Sequence, residues 1–526
     1  SASSPSGATH NQKRPGPMEV DEVANYLRRS SLSPSKKAKG DYSESLSASP
    51  VVSPSRVSAR VSEADSARQE KERREAVERL TKGWHNEKPH ENVEQPFPSR
   101  SNRAHFCWYD LSDSWSAETI PKAVPIPPHR VDTAFSYDNP NFARLPFSSP
   151  QSTPSMGKSK QPRDRLIAEA LRSFSRGVRD LSHLESGIRS YWGRFEATTL
   201  RKMFSEASPE VCEEYLKLIG KIAQVALRSE QIVTKALPTL TTDGDVKSVS
   251  MSQEQAACLL AYSFFCTVMP RGKQGFGHFS FHLIHYFGES IHMQKMKFIL
   301  WYFKTVTDEM PRGTLTFSRQ AWAFQRDERE GYDKWRDEIS EFLVTSEGLI
   351  EEMEGCLQVD FANEFIGGGV MKRGAVQEEI RFMCCPEMLV SMFLCNRMNH
   401  HEAILIQGAQ QYSAYEGYSS SLRHVPMELR RDQPRDRFGR ARSYLVAIDA
   451  IEFDRSKDQY ESRYITREIK KAYAGFMLSQ RDTPARPIAT GNWGCGAFNG
   501  DKELKSVIQL IAASKAGRPM IYVTFK

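Results

Sequence analysis

No hydrophobic run in this 526-residue sequence approaches the roughly 20 residues that a membrane-spanning helix needs. The first residues, SASSPSGATH, also lack the apolar stretch of a secretory signal peptide. These two absences predict an intracellular protein that does not associate with membranes. The length is sufficient for two or three domains, and the hydrophobic fraction of 39% fits a folded chain with some polar, unfolded length.

Cysteine pairs with metal-binding spacing are also missing. The nine cysteines are scattered without a C-x-x-C pair, which argues against a zinc ribbon or a disulfide framework and favours buried apolar cysteines. His278, His282 and His285 have the spacing of one helix face, but their aromatic neighbours favour a packed face over a metal site. The sequence therefore predicts neither a metal nor a cofactor. The net charge of +7 permits an anionic partner without requiring one.

Residues 1–92 are predicted to form a disordered tail with regulatory and targeting roles, because Ser, Pro and small residues dominate its first 66 positions. Basic clusters at 28–29 and 36–39 lie beside three Ser-Pro steps, the pattern of a nuclear import signal flanked by phosphorylation sites. An unselected basic patch is the alternative. The Ser-Pro serines are Ser33, Ser49 and Ser53. The later tail segment ARQEKERREAVERL has few apolar positions and predicts a solvated helix or spacer.

Residues 93–345 are predicted to form a mainly helical accessory region. Segments such as RDRLIAEALRSF and QKMKFILWYFKTVT repeat apolar residues at i, i+3 and i+4, and Ser252 with Glu254 indicates a helix start. From residue 346 onward, short β-rich runs alternate with helical stretches, which predicts an α/β layer fold with a mixed or largely parallel sheet. The predicted strands are CLQVDF, AILIQG, YLVAIDAIEF, PIAT and MIYVTF.

Two glycine-rich loops each follow a predicted strand and precede a predicted helix. They lie in LQVDFANEFIGGG and in IATGNWGCGAFNGD. Loops at the carboxyl ends of strands are where open α/β sheets bind ligands. Backbone N–H groups in such loops, with a helix N-terminus behind them, suit a phosphate group. The pair of loops therefore predicts a bound diphosphate, although neither matches the P-loop or the G-x-G-x-x-G pattern.

Two adjacent carboxylates, Glu378 and Glu379, follow the first loop at a probable helix start. Their side chains should point about 100° apart, so only one can face a cleft squarely. A carboxylic acid in a desolvated site can protonate a leaving oxygen. Alternatively, both residues simply favour the positive end of the helix dipole. The spacing does not choose between the two glutamates.

The string GGGVMKRGAVQEEIRF resembles the GGG…QEE signature of poly(ADP-ribose) glycohydrolases. Further strings resemble that family in the right order, and the resemblance covers about residues 95–526. It implies a macrodomain, a three-layer α/β/α module with a mixed sheet, at 346–526. Because family members continue past the last strand, it also implies truncation at the C-terminus. The further strings are MSQEQAACLLAYSFFC, KMKFILWYF, TLTFSRQ, LQVDFAN, QYSAYEGY, VAIDA, TGNWGCGAF and YVTF.

The resemblance also implies residue roles. Glu379 matches the catalytic acid and Glu378 its partner at the ribose, while Asp360 and Asn363 match residues that set the catalytic loop and contact the terminal ribose. The matched diphosphate-binding residues are Gly368, Gly369, Asn492, Gly494, Cys495, Gly496 and Ala497. The residues matched around the adenosine and ribose are Ile350, Glu351, Gln377, Tyr418 and Phe525.

The implied reaction is hydrolysis of the ribose–ribose O-glycosidic bonds of poly(ADP-ribose), with release of ADP-ribose. The implied partners are the polymer and poly(ADP-ribosyl)ated proteins, with a nuclear import receptor reading the tail and no sequence-specific binding of nucleic acid. The expected location is the nucleus, with the cytoplasm left open. A non-catalytic ADP-ribose-binding macrodomain protein is the alternative function. The basic run at 430–442 suggests contact with polymer phosphates, and a solvated insertion is its alternative.

Overall fold

The computed structural model describes residues 71–72, 74–80, 143, 145–146, 161–232, 237–242, 248–268, 276–321, 338–436, 439–477 and 486–525. The basic clusters and Ser-Pro steps of the tail lie outside these residues. None of the helices in the described ranges is both long enough and apolar enough to cross a membrane.

Helices dominate the described residues before 310, as their apolar spacing predicts. The predicted start at Ser252 is confirmed, because its side chain accepts a hydrogen bond from the N–H of Gln255 (3.0 Å). The Gln255 side chain in turn accepts the N–H of Ser252 (2.8 Å), which completes a capping box. The helices are α1 (Arg163–Ser175), α2 (Leu181–Trp192), α3 (Thr198–Glu206), α4 (Pro209–Ile232), α5 (Gln253–Phe264), α6 (His282–Phe287) and α7 (Ser290–Asp308).

A mixed sheet forms the centre of the protein. Among the described residues it contains eight strands in the order β1-β2-β5-β8-β4-β9-β10-β3. The pairs from β1 to β8 are antiparallel, and those from β8 to β3 are parallel. A separate antiparallel hairpin joins β6 to β7. The strands are β1 (Ser248–Ser252), β2 (Thr314–Ala321), β3 (Phe342–Thr345), β4 (Leu357–Ala362), β5 (Glu402–Gly408), β6 (Ser413–Glu416), β7 (Arg423–Pro426), β8 (Ala441–Asp449), β9 (Ile488–Gly491) and β10 (Met520–Val523).

Both faces of this sheet are covered. In β5, Ala403 and Leu405 belong to one apolar cluster, whereas Ile404 and Ile406 belong to another on the opposite face. Strands buried on both faces appear in sequence as continuous apolar runs, which is why AILIQG could be predicted as a strand. The result is a helix–sheet–helix arrangement of three layers.

Four further helices complete these layers: α8 (Gln377–Cys384), α9 (Ser391–Leu394), α10 (Ser462–Phe476) and α11 (Lys502–Lys515). The helical stretch EEIRFMCCPEMLVSMFLCNRM does not form one continuous helix. A 3-10 turn, Pro386–Val390, separates α8 from α9. Proline lacks the N–H that would continue the helix, and its ring clashes with the preceding turn.

Three strands of the central sheet, β1, β2 and β3, were not predicted as strands, and neither were β6 and β7 of the hairpin. The strands β1 and β2 lie in the range assigned to the helical accessory region, yet β2 pairs with β5 and so extends the sheet. The short edge strand β3 pairs in parallel with β10. These strands contain Ser, Thr and Arg among their apolar residues, so a pattern search finds them less readily than the fully apolar runs.

The described part of the tail is helical, as predicted, at residues 71–72 and 74–80. Arg74 forms an ion pair with Glu347 (2.7 Å), and Arg79 forms one with Glu341 (2.7 Å). Val77 and Leu80 pack against an apolar cluster that includes residues of β9 and β10. One side of this helix is therefore fixed to the sheet rather than solvated.

Candidate active site

The first glycine-rich loop folds back onto the two glutamates that begin α8. Glu378 accepts the N–H of Gly367 through Oε1 (2.6 Å) and that of Asn363 through Oε2 (3.0 Å). Glu379 accepts the N–H of Gly369 through Oε1 (2.8 Å) and that of Val376 through Oε2 (2.9 Å). Both carboxylates thus define the path of the loop, which we call the catalytic loop (residues 363–376).

This geometry explains the glycines in physical terms. A Cβ atom on Gly368 would lie 2.5 Å from Oε2 of Glu378 and 2.7 Å from Oε1 of Glu379. A Cβ on Gly374 would lie 2.6 Å from Oε1 of Glu379. Gly368 also has a φ of +48°, which disfavours other residues. The loop therefore needs glycine to close on the carboxylates, a reason additional to the predicted approach of a diphosphate.

Strand β4 supplies the third acidic residue and the anchor of the loop. Leu357 and Val359 point into the cluster on one face of the sheet, so Asp360 points to the other face, toward α8. Gln377 fixes the start of α8 to β4, because its Oε1 accepts the N–H of Phe361 (2.9 Å) and its Nε2 donates to the carbonyl of Val359 (3.1 Å). The strand and the helix together place Asp360 beside the two glutamates.

The three carboxyl groups differ in their electrostatic surroundings. Asp360 is fully buried, and neither of its oxygens has a hydrogen-bond partner among the described residues. Burial and the neighbouring charge of Glu379 raise the pKa of Asp360 well above its usual range, against the opposing effect of Arg381. Burial and the charges of Asp360 and Glu379 likewise raise the pKa of Glu378, although two backbone N–H groups favour its carboxylate.

Glu379 is buried but lies near a more exposed residue, Tyr418. The side chain of Tyr418 is about half exposed, and its hydroxyl is hydrogen-bonded to the backbone of Gln377. Burial and the charge of Glu379 raise the pKa of this tyrosine. Tyr418 and Glu379 therefore lie close together at the mouth of the site, where an exposed aromatic ring is available to a ligand.

The predicted adenosine residues lie on the neighbouring part of the sheet edge. Glu351 accepts a hydrogen bond from the hydroxyl of Tyr415 (2.9 Å), a residue that sequence reasoning missed. The side chain of Ile350 is buried in the cluster under β9 and β10, so it is not open to the cleft. Phe525 is partly exposed with a φ of +53°, and its ring lies near Gly491. Their contacts with adenosine stay a prediction.

The second glycine-rich loop follows β9, which pairs in parallel with β4, so both loops leave the same sheet edge as predicted. Asn492 donates to the carbonyl of Thr524 (2.7 Å) and accepts from the hydroxyl of Tyr522 (3.0 Å). Gly494 has a φ of +72°, and a Cβ there would lie 2.5 Å from that of Ala450. These contacts fix the start of the loop.

The tip of the second loop is open. Gly496 and Ala497 are exposed, and no described atom lies within 4 Å of the position that a Cβ on Gly496 would take. Packing within the described residues therefore does not account for glycine at 496. Cys495 is partly buried, and burial raises the pKa of its thiol to about 12, so it is not a reactive thiolate.

The helix N-termini behind both loops are occupied by side chains of the protein itself. Glu379 accepts the N–H of Val376 at the start of α8, and Asp501 accepts the N–H of Leu504 (2.8 Å) at the start of α11. The contribution of these helix ends to binding a diphosphate stays a prediction. The exposed backbone of the second loop is the better candidate for that contact.

The other signals in the sequence have structural explanations. His285 is buried and its Nε2 lies 3.0 Å from the carbonyl oxygen of Phe264, while His282 packs against Trp192. No group of three His, Cys, Asp or Glu in the described ranges could hold a metal ion. Cys384 and Cys385 are buried, as predicted.

In the basic run, several arginines bind other parts of the protein. Arg431 pairs with Glu309 (3.2 Å), and Arg435 donates to Gln410 (3.0 Å). Arg430 also pairs with Glu354. These arginines therefore contact the body of the protein, although Arg430 and Arg431 are exposed, and contact of this run with polymer phosphates stays a prediction.

Comparison with known families agrees with this architecture. Residues 330–526 match the model described as poly(ADP-ribose) glycohydrolase, macro domain fold, and residues 208–319 match the helical domain of the same family. Poly(ADP-ribose) glycohydrolase 2 of Caenorhabditis elegans is 32% identical over 393 residues, which cover 70% of this chain and 78% of that protein. The chain belongs to the poly(ADP-ribose) glycohydrolase family. The resemblance and the macrodomain fold are thereby confirmed.

Two other relatives from this family are similar over about three fifths of this chain. Poly(ADP-ribose) glycohydrolase 1 of Caenorhabditis elegans is 41% identical over 323 residues, which are 60% of this chain and 40% of that relative. Poly(ADP-ribose) glycohydrolase 1 of Arabidopsis thaliana is 32% identical over 403 residues, which are 62% of this chain and 72% of that relative. The glycohydrolase family thus accounts for both the helical and the α/β parts of the chain.

Proposed function

We propose that this chain hydrolyses ribose–ribose O-glycosidic bonds in poly(ADP-ribose) and releases ADP-ribose, with Glu379 as the acid and base. Family membership supports the reaction. The observation that carries the residue assignment is the position of Glu379 beside the exposed Tyr418, with its carboxylate held by the backbone of the catalytic loop.

The mechanism follows from how the three carboxyl groups differ. Glu379 in its protonated form donates a proton to the departing 2′ oxygen while positive charge develops on the anomeric carbon. Water then attacks that carbon and gives a proton to the Glu379 carboxylate, which regenerates the acid. Glycosidases usually use two separated carboxyl groups. Here Glu378 and Glu379 are adjacent and both are hydrogen-bonded to the loop, so they do not provide two separated groups. Both steps are assigned to Glu379, which lies beside the exposed Tyr418.

The other site residues orient the substrate in this proposal. Glu378 holds the loop at the terminal ribose, and the exposed second loop around Gly496 and Ala497 binds the diphosphate through backbone N–H groups. The exposed ring of Tyr418 packs on the nucleotide, with Phe525 beside the adenosine. Orientation of this kind supplies the part of the rate enhancement that proton transfer does not. No metal is required by these steps.

The test is release of ADP-ribose from purified polymer by the parent protein and by a Glu379→Gln variant. Positioned acid–base catalysis is typically worth ~10²–10⁴-fold, so we expect the variant to lose activity by that factor while still binding ADP-ribose. Equal rates for parent and variant would show that Glu379 is not the acid. If neither protein releases ADP-ribose but both bind it, the non-catalytic ADP-ribose-binding function is correct.

We also propose that the protein is imported into the nucleus by a receptor that reads the basic cluster at 36–39. The support is the pattern of lysines beside Ser-Pro steps in the tail. Changing Lys36, Lys37 and Lys39 to Ala should reduce nuclear accumulation of a fluorescent fusion of the full chain. Substitution of Arg28 and Arg29 serves as the comparison, since it tests whether the first basic cluster contributes. Unchanged nuclear localisation of the lysine variant contradicts the proposal.

A further inference from the structure

A buried lysine from the helical region contacts the catalytic loop. The Nζ atom of Lys295, in α7, donates to the carbonyl oxygens of Val370 (2.7 Å) and Lys372 (2.7 Å), with that of Gly369 at 3.4 Å. The side chain of Lys295 is 0% exposed. A lysine is seldom fully buried unless its charge is compensated, and here backbone carbonyls provide the compensation.

The contact connects Lys295 to the proposed acid through one residue. The carbonyl oxygen of Gly369 lies 3.4 Å from Nζ of Lys295, and the N–H of Gly369 donates to Oε1 of Glu379 (2.8 Å). Burial lowers the pKa of Lys295 to about 7. The negative charge of Glu379, which lies within electrostatic range, opposes this shift. The helical region therefore acts on the same short segment that holds the Glu379 carboxylate.

A second, exposed contact joins the same two parts of the chain. Arg373 forms an ion pair with Glu289 (2.7 Å), and its guanidinium lies 5.3 Å from the centre of the Phe287 ring. Exposed ion pairs contribute little to stability, so this contact is secondary to the buried one. Both contacts come from the segment that begins α7, and both bind residues 369–373 of the loop.

We propose that Lys295 is a positioning residue for the glycohydrolase reaction: it holds the catalytic loop from the helical region so that Gly369 keeps the Glu379 carboxylate facing the scissile bond. The inference rests on the proposed function. It also gives the helical region a role in catalysis, since α7 contacts the middle of a loop whose two ends are held by β4 and α8.

The test compares Lys295→Met with Lys297→Met. Lys297 lies on the same helix but is exposed, so its substitution controls for loss of a lysine from α7. For Lys295→Met we expect kcat on polymer to fall by about 10²-fold, because a small displacement of a catalytic group has an effect of that size. The Kd for ADP-ribose should rise by a smaller factor. The Lys297→Met variant should match the parent in both.

Hydrogen exchange separates positioning from general stability. In Lys295→Met, amide exchange should accelerate in residues 367–374 and remain at the parental rate in the central strands β5 and β8. Acceleration throughout the sheet would show that Lys295 merely stabilises the fold, and would overturn the proposal. Parental kcat together with parental exchange in the loop would also overturn it.

A second variant keeps the test decisive if Lys295→Met does not fold, since methionine leaves buried carbonyls without donors. Lys295→Gln retains an amide donor, and we expect it to fold with an intermediate loss of kcat and intermediate loop exchange. Parental values for this variant would contradict the proposal. Failure of the parent to release ADP-ribose would refute the proposed function alone, because the exchange measurement still decides whether Lys295 holds the loop.

Discussion

At the scale of single residues, the two loops need glycine for different physical reasons. Gly374 lies against the Glu379 carboxylate, whereas Gly496 faces open space. We therefore predict that Gly496→Ala weakens binding of ADP-ribose at least about tenfold, since the added methyl group blocks the backbone approach of a diphosphate. The free energy of unfolding should change by no more than about 0.5 kcal/mol. Calorimetric titration and urea unfolding measure the two quantities.

Gly374→Ala is the contrasting variant. Its added methyl group meets Oε1 of Glu379, so the rate of polymer hydrolysis should fall more than the affinity for ADP-ribose. If Gly496→Ala binds ADP-ribose as tightly as the parent, the second loop does not contact the diphosphate through that residue.

Some residues of the site could be predicted from the sequence and others could not. The grouping of Asp360, Glu378 and Glu379 around a glycine-rich loop follows from a strand, a loop and a helix that are consecutive in the chain. Helix geometry also predicts that the two glutamates point differently, and they bind opposite ends of the loop. Lys295 and Tyr415 were missed because each meets its partner more than 60 residues away. The only local signal for Lys295 is a charge within an apolar helix face.

At the scale of elements, a buried ion pair between α10 and α11 supports the second loop. Lys505 pairs with Glu468, both nearly inaccessible to solvent, and its ammonium lies 4.4 Å from the centre of the Trp493 ring. Glu468 also pairs with Arg467 (2.6 Å), so removing Lys505 leaves one buried carboxylate oxygen without its donor rather than an unpaired charge. We therefore predict that Lys505→Met lowers the free energy of unfolding by about 1 to 3 kcal/mol. The exposed Lys502, on the same helix, provides the control.

Urea unfolding of both variants tests this prediction. Lys502→Met should lie within about 0.5 kcal/mol of the parent. A Lys505→Met variant as stable as the parent would mean that the pair does not offset the cost of its own burial. In that case the orientation of the second loop must depend on other contacts, such as those of Asn492 with Thr524 and Tyr522.

Elements with continuous apolar runs were predictable, and those without were not. The strands β4, β5, β8, β9 and β10 all overlap their predicted positions, because burial on both faces leaves a largely apolar run. The bounds of β8 differ from the prediction, since the strand is Ala441–Asp449 rather than residues 444–453. Strand β2 was missed since its pairing with β5 depends on a partner about 90 residues further along the chain. Local patterns contain no information about such a partner.

At the scale of the whole molecule, the two regions matched by the family models share one sheet and one core. Strands β1 and β2 precede residue 330, yet they extend the sheet of the macrodomain. The largest apolar cluster contains residues of α4, α5 and α7 together with residues of α8 and β5. The helical region is therefore part of the folding unit that carries the catalytic loop, consistent with the contact between α7 and that loop.

Buried histidines in this shared core make the stability of the whole molecule sensitive to acid. Burial lowers the pKa of His285 from its usual 6.5 to about 4, although a hydrogen bond to the Phe264 carbonyl opposes the shift. The unfolded chain binds a proton at this residue below about pH 6.5, and the folded chain does so only near pH 4. Stability is thus fully present above pH 6.5 and decreases as the pH falls, by roughly 3 kcal/mol for this one residue.

We predict that His285→Gln makes the fall in unfolding free energy between pH 6.5 and pH 4 shallower by about this amount, even if the variant is less stable than the parent at pH 7. Urea unfolding of parent and variant at several pH values provides the comparison, because contributions from all other groups are common to both proteins. If the unfolding free energy of the variant falls with pH as steeply as that of the parent, His285 is protonated in the folded state at the same pH as in the unfolded chain. The burial of His285 against Phe264 and Phe195 argues against that result, since no acidic side chain is paired with it among the described residues.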